Sequence, residues 1–194
     1  HAGFKADPQA IIYSMPNVAS YVGGDISSGV LVSQMHKQDK VSLFIDIGTN
    51  GELVLGNKEK LISCSCATGP ALEGAQIEFG MRAAPGAIER VKIAPETLDA
   101  TYRVIGNTLW SDGKVNMQAK GICGSAIIDV IAEMFKAGII KKNGQLDLSI
   151  QSPRIRKSAK GMPEYVLAWK HETSVGQDIV VNQQDVRAIQ LAKG

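Results

Sequence analysis

Aromatic residues make up only 5% of this 194-residue chain, and histidine occurs three times, at His1, His36 and His171. The first scarcity argues against an aromatic-lined binding sheet. The second leaves any hydrolytic triad to recruit one of three scattered imidazoles. Cysteine is equally sparse: Cys64, Cys66 and Cys123 are too few for a metal or iron–sulfur site without further ligands at suitable spacing. These thiols therefore read as small buried hydrophobes in a reducing compartment, with Cys64 and Cys66 on one side of a strand. Charge of one sign is also lacking, since 21 basic residues face 19 acidic ones for a net charge of +2. No strong field favours nucleic acid or an anionic membrane. No apolar run approaches the roughly 20 residues that a membrane span needs, and the N-terminus has no signal-peptide pattern. The expectation is a soluble, cytoplasmic protein. Several nucleotide and hydrolase signatures are missing too: there is no GxxxxGK[ST] loop, no GxGxxG after a strand, no G-x-S-x-G elbow and no HExxH.

Glycine, by contrast, numbers 20, and hydrophobic residues account for 44%. A chain of this length can bury a real core, and the composition fits a loop-rich α/β protein. Its most telling stretch runs from Val41 to Leu55. Val41 to Ile47 is apolar enough for a strand buried on both faces, and Asn50-Gly51 is a two-residue hairpin signal. Asp46 then sits at the exit of a strand, where a carboxylate can hold a hydrated Mg²⁺. The N–H groups of Gly48, Thr49 and Gly51 and the Thr49 hydroxyl can face phosphate oxygens. An ordinary hairpin with a turn-stabilising Asp reads equally well from the residues alone.

Around this hairpin the pattern is α/β. Pro8 and Pro16 punctuate two short apolar segments, and Asp25 is placed to cap a helix carrying Ile26, Val30, Leu31 and Met35 on one side. Lys60 to Ala67 reads as a third strand. Small residues interrupt Ala67 to Met81, letting backbone approach something closely. Thr68 is placed to cap a short helix after Pro70, with Gly69 and neighbouring N–H groups aimed at an anion or simply closing a structural loop. Ala87 to Ile93 and Thr101 to Ile105 suggest strands. Gly121-Ile122-Cys123-Gly124-Ser125 feeds the clearest helix, ending near Ala137 with Gly138 as its stop. A glycine-flanked helix start suits either a nucleotide or close helix packing. Pro153 to Lys157 reads as a solvated basic loop, Tyr165 to Trp169 and Ile179 to Val181 as strands, and Asn182 as the cap of a last helix.

Asp46-Ile47-Gly48-Thr49-Asn50-Gly51-Glu52 resembles the phosphate-binding hairpin of the actin, sugar kinase and Hsp70 superfamily. Adding Val22 to Asp25, Ala67 to Ala75, Gly121 to Ser125 and Asp185 to Gly194, in that order, narrows the match. Together these segments are similar to the C-terminal ATPase region of the reductive activators of corrinoid-dependent methyltransferases. The resemblance covers roughly residues 20–81, 120–138 and 178–194.

The resemblance implies an RNase H-like lobe, α/β with a mixed sheet and flanking helices. It also implies an ATP-dependent activator that reduces Co(II) corrinoid to Co(I) on a corrinoid protein, with electrons from a [2Fe–2S] domain. The ferredoxin cysteine pattern C-x₄-C-x₂-C is missing from this chain, as is a counterpart of the first phosphate motif before Asp46. Residues 1–40 are accordingly expected to be the remnant of a preceding lobe with its connecting helix, and residues 41–194 a second ATPase lobe cut short at its C-terminus. His1 in place of an initiator Met fits a fragment, inactive alone. The resemblance assigns Asp46 to Mg²⁺ or a water, and Gly48, Thr49, Asn50 and Gly51 to the β- or γ-phosphate of ATP. Gly69, Gly121, Gly124 and Ser125 follow as further nucleotide candidates. Glu52 orients the attacking water or is a solvated residue at a strand start. A corrinoid protein is the implied partner and a homodimer is possible, with no nucleic acid or membrane. Two other readings remain: a sugar or acid kinase or radical-dehydratase activator lobe, and a docking or dimerisation module without nucleotide chemistry.

Overall fold

Ile26 is the buried residue of the first helix, Met35 follows it in a 3₁₀ turn, and Leu31 is exposed, not on the apolar side that the sequence suggests. In the computed structural model, which describes residue 7 and residues 9–112 and 116–194, α1 spans Gly24–Ser33 and ends at Gln34 in a left-handed conformation. His1 and Pro8 lie outside the described residues. Gly23, not Asp25, precedes the first turn; Asp25 sits inside it, its carboxylate accepting the Ile26 N–H at 2.9 Å. An acidic side chain in the first turn also faces the positive end of the helix dipole.

Three strands follow: β1 (Ser42–Ile47), β2 (Asn50–Gly56) and β3 (Leu61–Ala67), ordered β1-β2-β3. β1 is an edge strand whose residues alternate, so Leu43, Ile45 and Ile47 are each more than half exposed. The expectation of a strand buried on both faces is corrected: a three-stranded sheet with β1 at its edge covers one face only. β3 alternates too, and its outward positions include Ile62, Cys64 and Cys66. Cys64 and Cys66 are therefore exposed, contrary to the reading of all three cysteines as buried; Cys123 alone is buried.

The chain forms two compact units. The first takes in the described residues up to Asp46 together with Gly51–Cys66. Its core is Val22, Ile26, Met35 and Val54, with Val30, Phe44 and Leu61 packed against them.

The second unit comprises Ile47–Asn50 and Ala67–Gly194, so it includes the tip of the β1–β2 hairpin. After a 3₁₀ turn at Pro70–Glu73, β4 (Ala87–Ile93) pairs antiparallel with β5 (Ala100–Val104) and parallel with the short β6 (Gly121–Ile122). This mixed sheet is covered by α2 (Gly124–Lys136), which buries Ala126, Ile127, Val130 and Met134 at the spacing of one helical face. Beyond the two residues of β6, no strand among the described residues pairs with that side of β4. There Asp129 of α2 reaches the Val91 N–H at 3.5 Å and Glu133 the Ile93 N–H at 3.3 Å. A third sheet, ordered β7-β8-β9, is antiparallel and joins β7 (Ile155–Lys157), β8 (Pro163–Ala168) and β9 (Ile179–Asn182). The last helix, α3 (Gln183–Lys193), starts as the sequence predicts: the Asn182 side chain accepts the N–H groups of Gln184 and Asp185, while Asp185 accepts the Asn182 N–H. Asp185 also accepts the Glu78 N–H at 3.0 Å, and the Asn182 amide donates to Glu78 at 2.7 Å.

Residues 153–157 depart from their reading as a solvated basic loop. Arg154 is only 6% exposed. Its guanidinium donates to Asp99 and to the Val166 carbonyl, both at 2.9 Å, and lies over the Trp169 ring. Arg156 donates to Glu164 and Asp178, each at 2.8 Å. What the sequence could not reveal is the pairing: Arg154 gathers acceptors from two separate segments, Asp99 and the β8 carbonyls of Val166 and Leu167, which only the tertiary fold brings together.

Replacing Arg154 with Leu leaves those acceptors without their donor. The cost should be about 2–3 kcal/mol of unfolding free energy, read by urea denaturation. Burial pushes the Asp185 carboxyl above its ordinary range, against the two backbone N–H groups it accepts. A pKa raised in the native state means that the native state holds the proton more tightly than the unfolded one. This contribution to stability is therefore full below the unfolded carboxyl pKa and is lost as pH rises through the native value. Denaturation curves at stepped pH should show this loss on going from acid toward neutral in the wild type, and Asp185→Asn should remove that component.

Candidate active site

Two carbonyl oxygens at the hairpin tip lie outside the strand ladder and need donors. Thr68 supplies one: its hydroxyl lies 2.7 Å from the Gly48 carbonyl and 3.0 Å from that of Thr49. The Gly69 N–H donates to the Thr49 carbonyl at 2.9 Å. These bonds fix the tip against residues 68–69 within the second unit. The expected Asn50-Gly51 turn does not form. Gly48 and Thr49 connect the strands, and both Asn50 and Gly51 already belong to β2 without positive φ. The tip is stabilised from outside by Thr68 and Gly69, so it has no need of a left-handed two-residue turn.

Thr68 thus binds the hairpin and does not cap the helical turn that follows. That turn, Pro70–Glu73, is bounded by Gly69 at φ 75° and Gly74 at φ 83°, conformations that favour glycine. It delivers Glu73 to the tip: Thr49 donates its hydroxyl to the Glu73 carboxylate at 2.8 Å. A Cβ on Gly48 would stand 3.4 Å from the same carboxylate oxygen. Gly48, Thr49, Asn50 and Gly69 are therefore brought together, and Glu73 joins them. Sequence reasoning did not single out Glu73. The available signal was that Glu73 and Glu78 are the charged residues in the small-residue run from Ala67 to Met81.

The donors differ from the expectation in two places. The Gly48 N–H already donates to the Asn50 carbonyl at 2.9 Å, and the Thr49 hydroxyl is held by Glu73. Presenting that hydroxyl to a phosphate requires Glu73 to release or share it.

Gly121 and Gly124 support the 70–81 segment, while Ser125 bonds to β4. A Cβ on Gly124 would collide with the Leu72 carbonyl oxygen, and one on Gly121 would lie 2.5 Å from the Phe79 carbonyl oxygen. The Ile122 N–H donates to Phe79 at 2.7 Å, and Met81 donates back to Ile122 at 2.9 Å. Ser125 donates its hydroxyl to the Glu89 carbonyl at 2.9 Å. The start of α2 is thus a surface of close backbone approach on which the Pro70–Glu73 turn rests.

Asp46, Gly51 and Glu52 belong to the first unit. Asp46 is half-buried at the end of β1, one residue before the tip segment. Gly51 is buried, its carbonyl 3.3 Å from the Cys66 sulfur. Glu52 is half-buried and accepts the Ser65 hydroxyl at 3.0 Å, which ties β2 to β3.

Among the described residues no three His, Cys, Asp or Glu side chains gather as a metal site. Mg²⁺ does not require such a cluster, since it is commonly held by one or two carboxylates together with substrate phosphates and keeps several waters. The cysteines do not fit an iron–sulfur cluster. Three thiols cannot supply four cysteine ligands, and one of the three is buried in the core. Among the described residues no helix is long and apolar enough to cross a membrane.

Comparison with known proteins bears on the family of the chain. Residues 40–194 match the family described as the C-terminal domain of RACo, the ASKHA domain, and residues 1–38 match the RACo middle region. The corrinoid activation enzyme RamQ of Eubacterium limosum is 37% identical over 193 residues, covering 96% of this chain and 30% of its own length. The [Co(II) methylated amine-specific corrinoid protein] reductase of Methanosarcina barkeri is 32% identical over 167 residues, covering 77% of this chain and 30% of its own. The solved structure of a reductive activator for corrinoid, iron–sulfur protein aligns with a TM-score of 0.82 at 47% identity, over 91% of this chain and 27% of that one. The chain thus spans about 30% of the length of the curated relatives it matches.

Gly124→Ala is expected to lower the unfolding free energy by about 2 kcal/mol, because overpacking against the Leu72 carbonyl exceeds what a helix gains by losing a glycine. Thermal and urea melts would record it. Ser125→Ala, which removes one hydrogen bond, should cost about 1 kcal/mol.

Proposed function

Because the chain belongs to the RACo family, through both its middle region and its C-terminal ASKHA domain, we propose that it is the nucleotide-handling part of a reductive activator of corrinoid proteins. In this reading Gly48, Thr49 and Asn50 of the tip, with Gly51 next to them in the chain, receive the β- or γ-phosphate of ATP. Asp46 positions Mg²⁺ or a water at the mouth of the same hairpin. When bound, Mg²⁺ neutralises phosphate charge. Gly69 holds the tip carbonyl of Thr49, while Gly121 and Gly124 act by seating the 70–81 segment and Ser125 ties the start of α2 to the Glu89 carbonyl of β4. Glu52 keeps one carboxylate oxygen on Ser65 and has a second with which to orient a water.

The observation that carries this reading is the fixation of the tip by Thr68 and Gly69. A phosphate-binding loop gains most when its backbone is held in place before the ligand arrives, because no ordering cost then opposes binding. Relatives named for activating or reducing corrinoid proteins support the same direction. In the activity proposed for this chain's full protein, one electron converts Co(II) to Co(I), while hydrolysis of ATP to ADP and phosphate supplies the driving force. The electron comes from a low-potential donor other than this chain's own side chains, whose thiols do not fit a cluster. The partner is a corrinoid protein in its inactive Co(II) state.

Asp46→Ala should weaken Mg·ATP binding about tenfold or more in titration calorimetry, in keeping with the loss of a charge-assisted contact. In an activation assay with a corrinoid protein and a low-potential donor, it should also slow the appearance of the Co(I) absorption band. Undiminished binding and activation by Asp46→Ala would overturn the reading.

A further inference from the structure

A carboxylate is an unexpected neighbour for a phosphate cradle. Glu73 is exposed, yet it is held at the tip by the Thr49 hydroxyl at 2.8 Å, with its oxygen over the Gly48 backbone. The turn that carries it is fixed at both ends by glycines with positive φ and from below by the close approach of Gly124 to Leu72. Among the described residues no Lys, Arg or His forms an ion pair with Glu73. Among the described residues its negative charge therefore has no ion-pair partner beside the groups that would face a phosphate.

Two consequences follow from elementary electrostatics. A bare triphosphate approaching the tip meets a like charge a few ångströms away, and the repulsion grows as water is displaced. A divalent cation placed between carboxylate and phosphate reverses the sign of that interaction, since Mg²⁺ binds carboxylate and phosphate oxygens together and keeps water in its remaining positions. The same carboxylate opposes the free nucleotide and favours its metal complex.

Resting on the reading of the tip as a phosphate site, we infer that Glu73 is the positioning residue that makes nucleotide binding at this tip conditional on a divalent cation. With the metal bound, the carboxylate turns from Thr49 toward the cation, and the freed hydroxyl donates to a phosphate oxygen. Without it, Glu73 occupies Thr49 and repels the ligand. The ligand class is a magnesium-complexed nucleoside triphosphate, and Glu73 adds to Asp46 in discriminating it from the free anion.

Glu73→Gln tests this cleanly. The glutamine oxygen still accepts from Thr49 while the charge is gone. Titration calorimetry would compare ATP with excess Mg²⁺ against ATP with EDTA, and Mn²⁺ bound in the ternary complex would be counted by electron paramagnetic resonance. The wild type should lose about thirtyfold or more in affinity on removal of the metal. In Glu73→Gln that ratio should shrink by about tenfold, because metal-free ATP binds better and Mg·ATP worse, a change of about 1.4 kcal/mol in the coupling between the two ligands. Glu73→Ala, which removes charge and hydrogen bond together from an exposed position, should shrink it likewise. Equal weakening of both forms would mark Glu73 as merely structural and overturn the inference. So would an unchanged ratio with normal Mg·ATP binding, which leaves the tip as a phosphate site. Absence of any nucleotide binding by the wild type would overturn both.

Discussion

The Thr68 hydroxyl bridges the Gly48 and Thr49 carbonyls, and most of the candidate site depends on that bridge. Strand ends leave backbone oxygens without ladder partners, and an unsatisfied carbonyl in a partly buried position is costly. By supplying donors from Thr68 and Gly69, the chain holds the hairpin tip without a self-contained turn. The same bonds set the start of the Pro70–Glu73 turn, and hence the place of Glu73. The turn in turn lies on the Gly124 backbone at the start of α2. A contact made by one threonine thus reaches, through rigid backbone, from the tip to the mixed sheet.

The rest of the second unit is tied by polar groups of a different kind. Arg154 collects acceptors from Asp99, Val166 and Leu167, while Asn182 and Asp185 exchange hydrogen bonds with each other and with Glu78. Both networks join segments remote in sequence and both are nearly complete in their pairing. Buried polar groups of this sort contribute to a single arrangement as much as to net stability. Their neighbours in the core are apolar, including Tyr165, Leu167, Ile179 and Val181.

Local signals in the sequence were legible where a single element decided the outcome. The face of α2, its stop near Gly138 and the Asn182 cap of α3 follow from periodicity and capping chemistry, and the structure has them. The order of motifs pointed to the family, which the matches to residues 1–38 and 40–194 show. What failed were inferences that needed the tertiary environment. An apolar run could not say that β1 is an edge strand, so Leu43, Ile45 and Ile47 were placed inside. Asn50-Gly51 has the composition of a tight turn, but donors from Thr68 and Gly69 moved the connection to Gly48 and Thr49. Arg154 reads as a surface cation until Asp99 and the β8 carbonyls are seen around it. Glu73 was invisible for the same reason, since only the fold puts it beside Thr49.

The open flank of β4 beyond β6 carries a further consequence. A strand with free N–H groups is a template on which another chain can add itself and propagate. Asp129 and Glu133 stand across the Val91 and Ile93 N–H groups, and they are anchored to a helix that cannot leave without exposing the core. An incoming strand would have to displace two negative charges before gaining its first backbone bond. The two carboxylates thereby disfavour edge-to-edge polymerisation on that side of the mixed sheet.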